Sequence, residues 1–129
     1  MPPSATMAAL KNDLPRKDDQ RIVTFQKSGY LIYVGMNAYS NDKLLSEHPH
    51  RDCLWMHASA CRGSHLVLCV HGLSEPGDEI IQYAARLALK HSRSEASTVS
   101  VAYLRDLKKP EDGGIGVWSP QRQTSVEVL

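Results

Sequence analysis

Arg51-Asp52-Cys53-Leu54-Trp55-Met56-His57-Ala58, then a turn through Cys61-Arg62-Gly63, then Ser64-His65-Leu66-Val67-Leu68-Cys69-Val70: this stretch decides the fold. The two apolar runs read better as strands than as helix, and the Gly/Ser-containing loop between them predicts a two-strand unit. Alternation places Cys53, Trp55 and His57 on one side of the first strand, and His65, Val67, Cys69 and His71 together on the second. A histidine ends the first strand and another begins the second. His57, Arg62, Ser64 and His65 are therefore expected to meet at the loop, as a polar site on a rigid platform.

Working outward, Ile22–Phe25 and Tyr30–Val34 flank Lys27-Ser28-Gly29, a turn between β-branched and aromatic runs that predicts a hairpin. Residues 37–47 read as a short helix, capped by Asn37 or Ser40 and stopped by Pro49. Residues 75–92 read as the best helix: Pro76 suits its first turn, acids sit at its start, and Arg86, Lys90 and His91 sit near its end. Ile80, Ala84, Leu87 and His91 keep the spacing of one face. Thr98–Tyr103 alternates as a strand, and residues 116–118 and 124–128 look like a closing hairpin after the Gly113-Gly114 loop. The order β-β-α-β-β-α-β-β-β predicts an α+β domain, with a largely antiparallel sheet and both helices on one side. Residues 1–20, with three prolines and no sustained period, are expected to form a mobile or loosely docked tail, leaving 21–129 as the domain.

A length of 129 residues, 42% hydrophobic and 22% charged, suits one globular domain with a sizeable core. No apolar run approaches the roughly 20 residues that cross a bilayer, so no membrane association is expected. The amino terminus lacks the apolar core of a secretory signal, and Asp13, Asp18 and Asp19 argue against a transit peptide. Three cysteines without framework spacing fit a reducing compartment, and the cytoplasm is the expected location. The net charge is only +1, but residues 86–109 hold six Lys/Arg against two acids, a locally basic face suited to a polyanion.

Several constellations invite chemistry. Cys53, His57, Cys61, His65 and Cys69 recur every fourth residue, a metal-ligand stripe on a helix but one with no common face on two strands; a two-strand site using His57 and His65 with a cysteine stays open beside the commoner outcome of small buried cysteines, and no metal or cofactor is assigned. Ser64 beside His65, with Asp52 nearby, suggests a hydrolase. Neighbours on a strand point apart, however, and no nucleophile elbow is present, so no catalytic residue is assigned. Arg62-Gly63-Ser64-His65 reads equally as an anion cradle or an ordinary turn. Lys108-Lys109, before Pro110, offers a second basic loop. Trp55, Trp118, Tyr30, Tyr33 and Tyr103 fall in predicted strands, where core packing competes with base stacking.

Gly35-Met36-Asn37 with Asn41-Asp42 and Leu44, Leu54 to Ala58, Gly63 to Val67, the Ala84 to Ala88 helix, and Leu107 to Pro110 through Gly116-Val117 occur in an order that resembles the NFACT-R domain. The likeness spans residues 22–128. It implies a non-enzymatic module that binds structured RNA, tRNA or rRNA, in translation or ribosome quality control. It also implies matched positions at Asn41, Asp42, Trp55, His57, Gly63, Ser64, His65, Lys108, Lys109 and Pro110. Family members usually carry an acid immediately before the Leu/Ile-Trp pair, where this chain has Cys53 and places its acid one residue earlier, at Asp52. The expected RNA-binding set is His57, Arg62, Gly63, Ser64, His65, Arg105, Lys108 and Lys109. The chain is expected to be a stand-alone member whose partners are RNA, ribosomal particles, or a protein supplying the missing NFACT domains. The alternatives are a protein-interaction adaptor and a hydrolase acting on nucleotides or RNA ends.

Overall fold

The computed structural model describes residues 21–47, 52–59, 63–70, 72–93, 95–111 and 114–129. The expected tail over 1–20 lies outside them, as do Cys61 and Arg62 of the central loop. Strands β1 (Ile22–Lys27) and β2 (Tyr30–Gly35) form the first hairpin. Its turn residues Ser28 and Gly29 take φ of 52° and 86°, the left-handed pair that a two-residue turn between right-twisted strands needs.

Helix α1 (Ala38–Glu47) starts on a reciprocal cap. Ser40 N–H donates to Asn37 Oδ1 at 2.9 Å and Asn37 N–H donates to Ser40 Oγ at 2.8 Å, so two amides at the helix start are satisfied locally. Strands β3 (Leu54–Ala58) and β4 (Leu66–Cys69) pair as the opening stretch predicts, with Leu54 opposite Leu68 and Met56 opposite Leu66. Helix α2 (Asp78–Ser92) has Asp78 and Glu79 in its first turn and Lys90 and His91 in its last, complementing the helix dipole. After β5 (Thr98–Tyr103), a 3₁₀ turn (Leu104–Asp106) leads to the short strands β6 (Leu107–Lys108) and β7 (Ser119–Pro120), then to β8 (Thr124–Glu127).

Among the described residues every strand pairing is antiparallel, and the main sheet runs β1-β2-β4-β3-β5-β8. The fold class is thus α+β, as the element pattern predicts. Two expectations are corrected. The helices do not share one side of the sheet: α2 lays Ile80, Ala84, Ala85 and Ala88 on Ile32, Met56, Leu66, Leu68 and Val99, whereas α1 lays Leu44 and Leu45 on the opposite face with Trp55, Val67 and Ala102. The reason lies in the central strands. Leu66, Val67 and Leu68 are all buried, so both faces of β4 must be covered. Nor do residues 116–118 pair with 124–128. β8 instead completes the free edge of β5, with Val99 opposite Val126, and Val126 packs against the α2-side core. β7 pairs separately with β6.

Candidate nucleic-acid interface

At one end of the sheet β2 and β3 finish, β4 begins, α1 starts and α2 stops. Asn41, on the first turn of α1, ties this end together. Its Nδ2 donates to the Gly63 carbonyl at 3.1 Å, and its Oδ1 accepts the His65 N–H at 3.0 Å. Gly35 N–H donates to the His65 carbonyl at 3.0 Å. A side chain at Gly35 would collide with Asn41 Oδ1, and one at Gly63 with Ser92 at the end of α2, so both glycines are required by close approach. Ser64 N–H donates to Ser92 Oγ at 3.1 Å and Ser64 Oγ to the His91 carbonyl at 3.3 Å. The amides of Ser64 and His65, which the anion-cradle reading would direct at a phosphate, are therefore engaged within the protein. Ser64 Oγ donates to the His91 carbonyl and His65 Nδ1 accepts from Trp55, so the Ser64-His65 pair weighed for a hydrolase is bonded to other partners.

Three rings form the floor. The indole N–H of Trp55 donates to His65 Nδ1 at 2.8 Å, so the proton of the neutral His65 ring sits on Nε2. His57 lies nearly parallel to Trp55, at 13° with centroids 5.8 Å apart, and its ring centre is 4.6 Å from that of His65. Burial, with His57 alongside, brings His65 down from 6.5 to about 3, and burial also lowers His57. Two imidazoles in contact under low dielectric both favour the neutral form.

The opposite wall is the Gly114–Trp118 loop. Gly116 has φ of 78°, and a Cβ there would fall 2.8 Å from Ala38 Cα, so glycine lets the loop lie against the start of α1. Asp42 Oδ1 anchors the loop, accepting from Lys109 Nζ at 2.7 Å and Trp118 Nε1 at 2.9 Å. Burial alone would raise the Asp42 carboxyl, but the hydrogen bonds from Lys109, Trp118 and Gly116, with the Lys109 charge, hold it below the usual range. Between the walls opens a cleft of about 790 Å³, with His57 and His65 in its floor and Met36, Arg93, Ile115 and Val117 among its lining.

Of the expected site residues, His57, Gly63, Ser64 and His65 line this cleft, and Lys109 is fixed beside it through Asp42. Lys108 is exposed on β6 next to Lys109. Arg105 does not join them. It stacks over Tyr103 at 4.0 Å in a second hollow, of about 920 Å³, at the Leu54 end of β3. Arg62 lies outside the described residues. Of the five aromatic residues weighed for stacking, Trp55 is buried and Tyr103 is exposed, with Tyr30, Tyr33 and Trp118 between.

Sequence reasoning missed Met36, Ile115, Val117 and Arg93. Arg93 ends α2 in the left-handed conformation, with φ of 52°, where glycine is the ordinary choice. A non-glycine at a helix end gives no sequence signal of that geometry. Cys53 is buried and Cys69 half-buried, both as free thiols. Burial, with Cys53 beside it, pushes Cys69 up to about 12. Among the described residues no three His, Cys, Asp or Glu side chains are placed to hold a metal ion, and no helix is long and apolar enough to cross a membrane.

Comparison with known proteins adds to this geometry. Residues 21–116 match the family model of the NFACT protein RNA binding domain. The chain is 35% identical over 104 residues to the Rqc2 homolog RqcH of Bacillus subtilis, an alignment covering 78% of this chain and 18% of that protein. It is 30% identical over 116 residues to the Rqc2 homolog RqcH of Streptococcus suis, covering 88% of this chain and 20% of that protein. Among solved structures, the C-terminal part of the fibronectin/fibrinogen-binding protein from Streptococcus suis superimposes with a TM-score of 0.68 at 28% identity, over 97% of this chain and 54% of that one. The chain thus spans about a fifth of the length of these curated relatives.

Proposed function

The chain belongs to the NFACT protein RNA binding domain family, and from that premise we propose that it is a non-enzymatic module that binds structured RNA, tRNA or rRNA, in cytoplasmic ribosome quality control. The observation that carries the reading is the convergence of the motif residues. Asn41, Asp42, Trp55, His57, Gly63, Ser64, His65 and Lys109 are scattered over 69 positions of the sequence, yet they interlock at one end of the sheet. Lys90 and Arg93 are exposed on the last turn of α2 at that same end, and Lys108 is exposed beside Lys109. Cations at the rim meet phosphates; Gly63, Ser64 and His65 hold the floor in shape; His57 faces the ligand. Arg105, at the far end of β3, contributes at most a separate contact.

Filter binding to tRNA and rRNA fragments tests this. Affinity should fall steeply between about 50 and 200 mM salt, with each neutralised phosphate adding about −0.7 to −0.9 to the logarithmic slope. The double reversal Arg93→Glu with Lys108→Glu should weaken binding and flatten that slope. Absence of binding at the lower salt, or a slope unmoved by the double reversal, would refute the assignment.

A further inference from the structure

Resting on the RNA-binding reading, we propose that the cleft is a single-nucleotide pocket: an unpaired base, swung out of a loop or bulge, stacks on the His57 ring with its backbone phosphate beside Arg93. The ring stack is the starting point. Trp55 is only 2% exposed and His57 lies almost parallel to it, so His57 is the outer plane of a stack whose inner plane is fixed in the core. His57 is only partly buried, and it lines the cleft. Proteins read single-stranded RNA by splaying out bases and stacking them on aromatic rings, histidine included.

The walls suit a base better than a phosphate. Met36, Ile115 and Val117 are large apolar residues, 37%, 49% and 42% exposed, and all three line this one cleft. The floor adds one donor. His65 Nδ1 is occupied by the Trp55 indole, which leaves the Nε2–H for a carbonyl or ring nitrogen on the base edge. Burial keeps both imidazoles uncharged near neutrality, so the floor attracts an aromatic plane while the positive charge stays at the rim. The cleft volume lies within the range of small-molecule sites. A fully paired helix, whose bases are stacked inside, has nothing to insert.

The test is a fluorescence titration of the full chain with an RNA hairpin carrying 2-aminopurine in its loop, against the same label in the paired stem. The loop label should be quenched on binding and the stem label should not. His57→Leu, which keeps apolar volume but removes the ring, should weaken hairpin binding roughly 5- to 150-fold, the worth of one stacked base; His57→Phe should restore it. Ile115→Asp, at an exposed wall position, should also lower hairpin affinity and leave the stack and fold untouched, as thermal melting would verify. If the hairpin binds in a salt-dependent way but neither quenching nor affinity changes in His57→Leu and Ile115→Asp, the base pocket is wrong while RNA binding stands, and the apolar walls serve another occupant such as a peptide. If no hairpin binds at about 50 mM salt, both readings fall.

Discussion

The two ends of β3 are built on different principles. At the Ala58 end, polar groups are buried and matched: Asn41 holds Gly63 and His65, Trp55 holds the His65 ring, and Ser92 and His91 hold Ser64. At the Leu54 end the hollow is larger, about 920 Å³ against about 790 Å³. There the Arg105 guanidinium lies over the exposed Tyr103 ring. Size is a poor guide to which hollow is a site. Buried polar groups cost stability unless every one is paired, so a fully satisfied set marks a place whose shape is specified.

The contrast can be broken by mutation, and the largest effect should come from Asn41→Ala. It leaves the buried His65 amide and the partly buried Gly63 carbonyl without partners, each worth about 1–3 kcal/mol, so urea denaturation should show a loss of roughly 2–5 kcal/mol. A loss below about 1 kcal/mol would show that the clamp is not structural. The next effect is on acid stability. Both imidazoles titrate below the ordinary 6.5 when folded, His65 near 3, so the unfolded chain takes up protons first as pH falls. Stability from this source is complete above about pH 6.5 and declines toward pH 3, with a slope of at most about 1.4 kcal/mol per pH unit for each proton taken up. The gap between urea midpoints at pH 7 and pH 5 should narrow in His57→Leu relative to the parent chain, with His65 keeping the rest; an unchanged gap would remove His57 from the account.

Arg93→Gly sharpens the comparison from the other side. Glycine accepts the left-handed angle that arginine occupies at a cost, so the variant should gain up to about 1 kcal/mol in stability while losing RNA affinity. Destabilisation by this change would show that the arginine side chain packs rather than protrudes for a ligand. The smallest effect is expected at the far end, where Arg105→Ala gives up an exposed cation–π contact worth about 0.5–1 kcal/mol and leaves the affinity of the cleft unchanged. Should RNA binding fall as far in Arg105→Ala as in the rim reversal, the footprint would run along the whole sheet.

Local pattern carried much of the architecture. Ser28-Gly29 between β-branched runs foretells the first hairpin, the three-and-four spacing after Pro76 foretells α2, and the alternation of Thr98–Tyr103 matches β5. The two-sided cover was not read, although the unbroken Leu66-Val67-Leu68 run is the signal of a strand buried on both faces; the expectation put both helices on one side. Nor was the pairing of β8 with β5, because Val99 and Val126 are joined by a ladder that no short window reveals. For the cleft, motif order located His57, Gly63, Ser64 and His65. It did not show that Ser64 and His65 would be buried, because their partners Ser92, Asn41 and Trp55 lie on other elements.

The clamp at Asn41 also bears on how the domain opens. The hydrogen it accepts bridges the start of one helix and the residue before a central strand, so it is freed only when those two elements separate. The His65 amide should therefore exchange with deuterium only when the entire sheet comes apart, among the slowest in the molecule. The floor of the cleft and the global fold would then share one free energy of opening, and any ligand that settles there raises the melting temperature of the domain as a unit.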